Sequence, residues 1–267
     1  MPGGKRRRLE LDISGLLIDL DGTVYRGEQL IPGAVEAIEQ LRTMGVPLLF
    51  TTNTSRKSRR DIIVSLAGFG LVVQEEEVFS APVAAAEWLT SEGVQRIQLL
   101  VPRSTHDDFC QFTITDERPE IVLVGDLGSE FTFDRLNSAF RALRTGAGLV
   151  ALHRNRYWLP DNHPTLDAGP FVAALEYAAR VTATLVGKPS PAFFRTAAAR
   201  MGSAPERLAV VGDDVESDVR GARAANLIAI QVRTGKFDST RNAELPHDQQ
   251  AHCIIDSIRD LPGVLDD

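Results

Sequence analysis

Four short stretches of this sequence place reactive side chains directly after apolar runs. In the first, Gly15-Leu16-Leu17-Ile18 leads into Asp19-Leu20-Asp21-Gly22-Thr23. Residues two apart on an extended backbone point to the same side, so the Asp19 and Asp21 carboxylates face one pocket. Such a pair suits a divalent cation, or a nucleophile with an acid/base partner. An EF-hand loop also opens Asp-x-Asp, but it needs Gly at its sixth position and Glu at its twelfth. This chain has Val24 and Leu30 there. The plainer alternative is an Asx turn at a strand end.

The second stretch is Thr52-Asn53 after Leu48-Leu49-Phe50. A hydroxyl beside a main-chain amide can take a phosphoryl oxygen, although Thr-Asn is also ordinary turn chemistry. The third is Lys188 within Val186-Gly187-Lys188-Pro189-Ser190. Its neighbours hold it close to the backbone, where it can neutralise a phosphate and steady Asp19; taken singly it is equally a solvated surface lysine. The fourth is Gly212-Asp213-Asp214, with Ser217 and Asp218 following. Carboxylates gathered beside the first pair repel one another unless a cation stands between them. Magnesium, which takes one or two carboxylates plus waters and a phosphate oxygen, meets that need. The competing reading is a helix start decorated with acids, where the dipole favours negative charge.

The elements that carry these stretches alternate short apolar runs with helical-period segments, the mark of an α/β protein with parallel strands. Helices are expected over 34–44, with Val35, Ile38 and Leu41 on one face, and over a segment holding Ile62, Ile63 and Leu66, with Ser55 as its cap. Leu136, Ala139, Phe140 and Leu143 form an i, i+3, i+4, i+7 stripe. Further strands are expected at 97–101, 121–124, 149–152, 208–211 and 228–232. The proline-rich loop 157–170 interrupts the alternation before a helix over 171–179. Ligand sites in open parallel sheets form outside the carboxyl ends of the strands, so four strands ending in reactive residues can meet at one place. The economical architecture is a Rossmann-like parallel-sheet core from both ends of the chain, residues 1–80 and 182–267, with residues 81–181 inserted as an α/β cap.

Composition narrows the function classes. The chain has 267 residues, 43% hydrophobic and 24% charged, enough apolar material for a core without staples. Its two cysteines, Cys110 and Cys253, lie far apart and form no C-x-x-C pair, which argues against a disulfide framework or zinc site and for a reducing cytoplasm. No apolar run approaches the ~18 residues of a membrane span. The basic stretch at 5–8 is followed by Glu10 and Asp12 rather than a signal-peptide core. A net charge of −7 argues against nucleic-acid binding.

With these residues in order, the chain resembles the haloacid dehalogenase (HAD) superfamily. DLDGT at 19–23 looks like its first motif, Thr52 its second, Lys188 its third and GDDVESD at 212–218 its fourth. The interval between Thr52 and Lys188 is similar to that of the capped, NagD-like subgroup. LVGKPSPAFF and AGPFVAALEYA look closest to the group of the dehalogenase-like domain-containing protein 2 and phospholysine phosphohistidine inorganic pyrophosphate phosphatases. The resemblance implies a phosphatase in which Asp19 becomes an aspartyl-phosphate and Asp21 serves as general acid, then base. It implies magnesium held by the Asp19 carboxylate, the Asp21 carbonyl and Asp213, with Asp214 and Asp218 orienting its waters. Thr52 and Asn53 would contact the phosphoryl group, and Lys188 would balance the charge.

Asp21 bears on the reaction class, because relatives that dehalogenate lack this second acid. The cap would exclude water, and the loop 157–163, with Trp158 and His163, is the candidate for selecting a small phosphorylated substrate; simple loop packing is the alternative there. The resemblance also makes a homodimer through the cap an expected assembly. Two rival readings differ in what they predict. A receiver-like regulatory module would keep a stable phospho-Asp19, and a catalytically weak binding protein would show no turnover.

Overall fold

The computed structural model describes residues 12–158 and 163–265. The basic stretch at 5–8 and positions 159–162 of the candidate loop lie outside the described residues. The chain divides into two units, one of residues 1–50 and 197–267, the other of residues 51–196.

In the first unit the strands Cys253–Ile255, Ile228–Val232, Leu208–Gly212 and Gly15–Asp19 lie in that order, and the strand Leu48–Thr52 runs from its residues 48–50 into the second unit. Leu16 stands opposite Ala209, Ile18 opposite Val211, and Val211 opposite Ile230, all in parallel ladders. Gly15–Asp19, Leu208–Gly212 and Ile228–Val232 are buried along their whole length. Parallel strands covered on both faces read as continuous apolar runs rather than as alternation, which is why LLI, AVV and IAI were visible as strands. Each fully buried Leu or Ile here contributes about 2 kcal/mol. The helix Ala34–Thr43 turns Ala34, Ala37, Ile38 and Leu41 inward, a one-face stripe at helical period. It ends where Gly45 takes a positive φ of 75°, the usual way for a chain to leave a helix.

The second unit holds its own parallel sheet, in the order Thr184–Leu185, Gly148–Ala151, Ile121–Val124, Arg96–Leu100 and Thr113–Ile114. Alternate residues serve opposite faces. Val122, Val124, Leu149 and Ala151 pack against Ala139, Leu143, Val172 and Leu175 of the helices Phe133–Arg144 and Ala168–Ala179. Leu123, Val150 and Leu152 pack on the other face with Ala81, Ala85 and Leu89 of the helix Ala81–Ser91. Phe131 and Phe171 stack 3.8 Å apart beside the first of these cores.

Two local expectations are corrected. The helix Arg59–Gly68 is capped by Ser58, whose hydroxyl accepts from Asp61 N while the Asp61 carboxylate accepts from Ser58 N. That reciprocal capping box outcompetes Ser55, which is engaged elsewhere. The loop after 156 is also less irregular than its prolines suggest: Tyr157–Trp158 pairs antiparallel with Thr165–Leu166.

Candidate active site

In the first unit, three buried acids meet. One carboxylate oxygen from each of Asp19, Asp213 and Asp218 lies within 4.8 Å of the others. Asp19 ends the strand Gly15–Asp19, and Asp213 follows Leu208–Gly212. Adjacent parallel strands thus deliver the two carboxylates side by side, as the register Ile18 to Val211 requires. Asp218 arrives from a short π-helical turn, Val215–Val219, where its carboxylate accepts from Asp214 N at 3.2 Å. Burial, and then the Asp218 carboxylate, push Asp213 up to about 7. Its neighbour Asp214 goes the other way. Burial opposes its charge, but the Lys236 ammonium and the amides of Glu216 and Ser217 bring it below the usual carboxylate range.

A fifth loop, absent from the four-stretch reading, closes on Asp213. Lys236 N donates to Asp213 Oδ2 at 2.6 Å, Gln231 Nε2 donates to Asp213 O at 3.1 Å, and Thr234 Oγ1 donates to Gly22 O at 2.5 Å. Gly22 (φ 91°) and Gly235 (φ 60°) bring bare backbone against the Asp213 carboxylate, where a Cβ on either would collide with Oδ2. The signal was present, since Ile228–Val232 is an apolar strand ending in Arg-Thr-Gly-Lys, the pattern that singled out the others. Asp21 is exposed, and its carboxylate is not part of the three-acid group. Hard, all-oxygen donors crowded by like charge are a set that a small divalent cation fits.

In the second unit, Thr52, Asn53 and Lys188 come together around one clamp. The Asn53 amide donates from Nδ2 to Lys188 O at 2.9 Å, and its Oδ1 accepts from Lys188 N at 2.8 Å. A side-chain amide has one donor end and one acceptor end, and both are turned to the same peptide backbone. Gly187 makes this approach possible, because a Cβ there would collide with Leu152 O and stand 2.8 Å from Asn53 Oδ1. Lys188 is 2% exposed, so the exposed-surface alternative for it is set aside. Thr52 is buried, and its hydroxyl accepts from Thr54 N at 3.1 Å. His163 is exposed at the edge of the short hairpin. Trp158 lies under the Arg56 guanidinium, 4.6 Å from ring centre to cation.

Comparison with known proteins places the chain in a family. The profile of the family described as haloacid dehalogenase-like hydrolase matches residues 16–113, and one described as HAD-hydrolase-like matches residues 185–261. The human haloacid dehalogenase-like hydrolase domain-containing protein 2 is 38% identical over 225 residues, covering 84% of this chain and 86% of that protein. The chain belongs to the haloacid dehalogenase-like hydrolase family. Human phospholysine phosphohistidine inorganic pyrophosphate phosphatase is 36% identical over 242 residues, with 88% and 87% covered. Among solved structures, a 4-nitrophenylphosphatase from Thermotoga maritima superposes with a TM-score of 0.88 at 27% identity, covering 94% of this chain and 97% of that one. A glycerol phosphate phosphatase from Mycobacterium tuberculosis in complex with magnesium reaches 0.85 at 28%, covering 94% and 76%.

This HAD hydrolase carries its acids in the first unit and its Thr–Asn–Lys set in the second, each assembled at strand ends. Among the described residues, no helix is long and apolar enough to cross a membrane, and neither Cys110 nor Cys253 is in a disulfide.

Proposed function

We propose that this hydrolase, a phosphatase, is magnesium-dependent and works through an aspartyl-phosphate on Asp19. The observation that carries the reading is the buried Asp19–Asp213–Asp218 group, with Asp213 driven up to about 7 by desolvation and a like charge. A site that holds three acids together with so little room for their charge is built for a cation. The magnesium complex of the similar glycerol phosphate phosphatase supports the choice of ion. Bound there, magnesium supplies positive charge against the phosphoryl oxygens and the carboxylates.

The chain's own residues do the rest. An Asp19 oxygen forms the bond to phosphorus, and the leaving oxygen departs with its electron pair and takes a proton from Asp21. Asp21, now a carboxylate, takes a proton from water. The water oxygen bonds to phosphorus, phosphate leaves, and Asp19 is regenerated. Thr52 and the Asn53 main-chain N–H hold phosphoryl oxygens, and Lys188 offsets the negative charge that gathers in the transition state. Asp213 and the Asp21 carbonyl join Asp19 as metal ligands, with Asp214 and Asp218 behind them. Residues 81–181 act as the cap over a core of 1–80 and 182–267 and exclude water. His163 contacts the part of the substrate beyond phosphate. The substrate is a small phosphoester, phosphoramidate or pyrophosphate; the last two follow the name of the phospholysine phosphohistidine inorganic pyrophosphate phosphatase. A cytoplasmic homodimer joined through the cap completes the reading.

Phosphate release from a panel of those three bond types, with wild type and Asp19→Asn compared in magnesium and in chelator, tests it. Wild type is expected to turn over one group preferentially, with activity at least about a thousandfold lower in Asp19→Asn and abolished by chelator. Turnover surviving in Asp19→Asn would falsify the nucleophile. A folded, magnesium-loaded protein silent on every compound would favour the regulatory or binding alternative.

A further inference from the structure

The strand ends of the second sheet grip one short segment of chain. After Leu100, Thr105 Oγ1 donates to Ser55 O at 2.9 Å. After Val124, Asp126 N donates to Ser55 Oγ at 2.7 Å. After Ala151, His153 Nε2 lies 3.1 Å from Ser55 Oγ. After Leu185, Lys188 is held by Asn53. The carboxyl edge of a parallel sheet is where ligands usually bind. Here it is occupied by residues 53–56, the continuation of Thr52. Arg56 extends the grip, with Nε donating to Asp126 Oδ2 at 2.6 Å.

Within that grip the buried trio Ser55, His153 and Asp167 has a defined sense. His153 Nδ1 stands 3.7 Å from Asp167 Oδ1, with both residues almost fully buried. That is too long for a hydrogen bond, yet close enough for the carboxylate to repel a bare ring nitrogen and favour one carrying a proton. With the proton on Nδ1, Nε2 is an acceptor. Ser55, whose oxygen already accepts from Asp126 N, then donates its hydroxyl proton to Nε2. The order runs from Asp126 N–H through Ser55 O–H to His153, with the Asp167 carboxylate facing Nδ1.

We propose that His153, with the proton on Nδ1 turned toward Asp167, is a positioning residue for the phosphate-binding segment. It acts through Ser55 on Thr52 and Asn53, and touches neither the substrate nor the reacting atoms. This rests on the phosphatase reading for its consequence, though not for its geometry. Asp167→Asn is the sharpest test, because Asn also caps a helix and can keep accepting from Ala168 N, the bond Asp167 makes at 2.7 Å, while the charge that sets the tautomer is gone.

Nitrogen-15 spectra of the full chain are expected to show His153 protonated at Nδ1 in the wild type, with population moving to Nε2 in Asp167→Asn. Hydrogen exchange at the amides of 53–56 is expected to quicken in Asp167→Asn and in Ser55→Ala without a matching loss of melting temperature. KM for the preferred substrate is expected to rise about three- to tenfold, the effect of one lost hydrogen bond, with kcat changed less. His153→Gln, whose amide oxygen can reach the Nε2 position, is expected to recover most of that loss where His153→Ala does not. A wild-type His153 protonated at Nε2 overturns the proposal, as does a tautomer change that leaves both exchange and KM untouched. An enzyme inactive on every compound overturns the phosphatase reading instead, while the spectra and exchange still decide the role of His153.

Discussion

The two clusters answer burial in opposite ways. Around Asp213 the first unit packs three acids together, and the main-chain donor Lys236 N leaves Asp213 still driven up to about 7. Around Lys188 the second unit fixes the main chain, with the Asn53 amide matched donor to acceptor on the Lys188 backbone. A buried charge is tolerated when paired and hydrogen-bonded, and is costly otherwise. The first cluster gathers negative charge that a bound cation would offset, and the second fixes the backbone from which the Lys188 side chain extends.

That contrast breaks most visibly at Lys188. Lys188→Met keeps the length of the side chain and removes the charge. The expected cost is about 10²- to 10³-fold in kcat, the range for losing one preorganised group that stabilises transition-state charge, with magnesium affinity changed little. Kinetics and calorimetry on the same preparation separate the two. A loss confined to magnesium affinity would mean that the two clusters are not independent. The converse variants are Gly22→Ala and Gly235→Ala, each of which sets a methyl against the Asp213 carboxylate. Magnesium binding is expected to weaken by about 10- to 100-fold, as when groups that orient a ligand are disturbed. Calorimetric titration that finds the affinity unchanged would remove Asp213 from the ligand set.

A smaller effect is expected from Asn53→Ala. Two hydrogen bonds are lost and Lys188 N is left without the Asn53 oxygen, so stability should fall by about 2 kcal/mol, a drop of about 4–8 °C in melting temperature. Magnesium affinity should hold. A variant that melts like wild type would show that the clamp contributes nothing to the fold.

How much of this was legible in the sequence follows from the same physics. Asp19, Asp21, Thr52, Lys188 and Asp213 each sit within a few residues of a fully apolar strand, a local pattern that survives without knowledge of the partner strand. The Thr234-Gly235-Lys236 loop obeyed the same rule and was overlooked because its glycine and lysine look like any turn; their meaning lies in Asp213, more than 20 residues away in the chain. Asp126 and His153 also follow apolar runs, IVLVG and LVAL, and were passed over because each is a single polar residue there, whereas Asp167 had no such signal. Each is an isolated polar residue whose role is a hydrogen bond to Ser55 from 71 to 98 positions off, or, for Asp167, a charge facing the ring that makes one. Ser55 itself was assigned to the wrong task, because a serine a few residues before a helix is the cap by default until Ser58 and Asp61 are seen to satisfy each other.

The buried acids should also leave a small trace in stability, with a definite sign. Asp213 has an ordinary value of 3.8 and is raised to about 7 in the folded chain, so the native state holds this proton more tightly than the unfolded one. Its stabilising contribution is complete below about pH 4 and is lost as pH rises through 7. Asp108, in the second unit, is raised by burial to about 6 and adds a slope of the same sign at lower pH. Burial lowers His106 and His252, which gives the opposite slope below their ordinary value of 6.5. An unfolded histidine is still half protonated at pH 6.5, so the two histidines offset Asp213 up to about pH 8, and only the comparison of wild type with Asp213→Asn, in which their contribution cancels, isolates Asp213. In chelator the wild type should lose somewhat under about 1 kcal/mol from pH 6.5 to 8 relative to Asp213→Asn, or roughly 1–3 °C in melting temperature. Magnesium, which binds the ionised carboxylates and so binds better as pH rises, should flatten or reverse that difference. A difference between chelated wild type and Asp213→Asn that stays constant from pH 6.5 to 8 would mean that Asp213 is already ionised and satisfied by the protein alone, and the contrast between the two clusters would disappear.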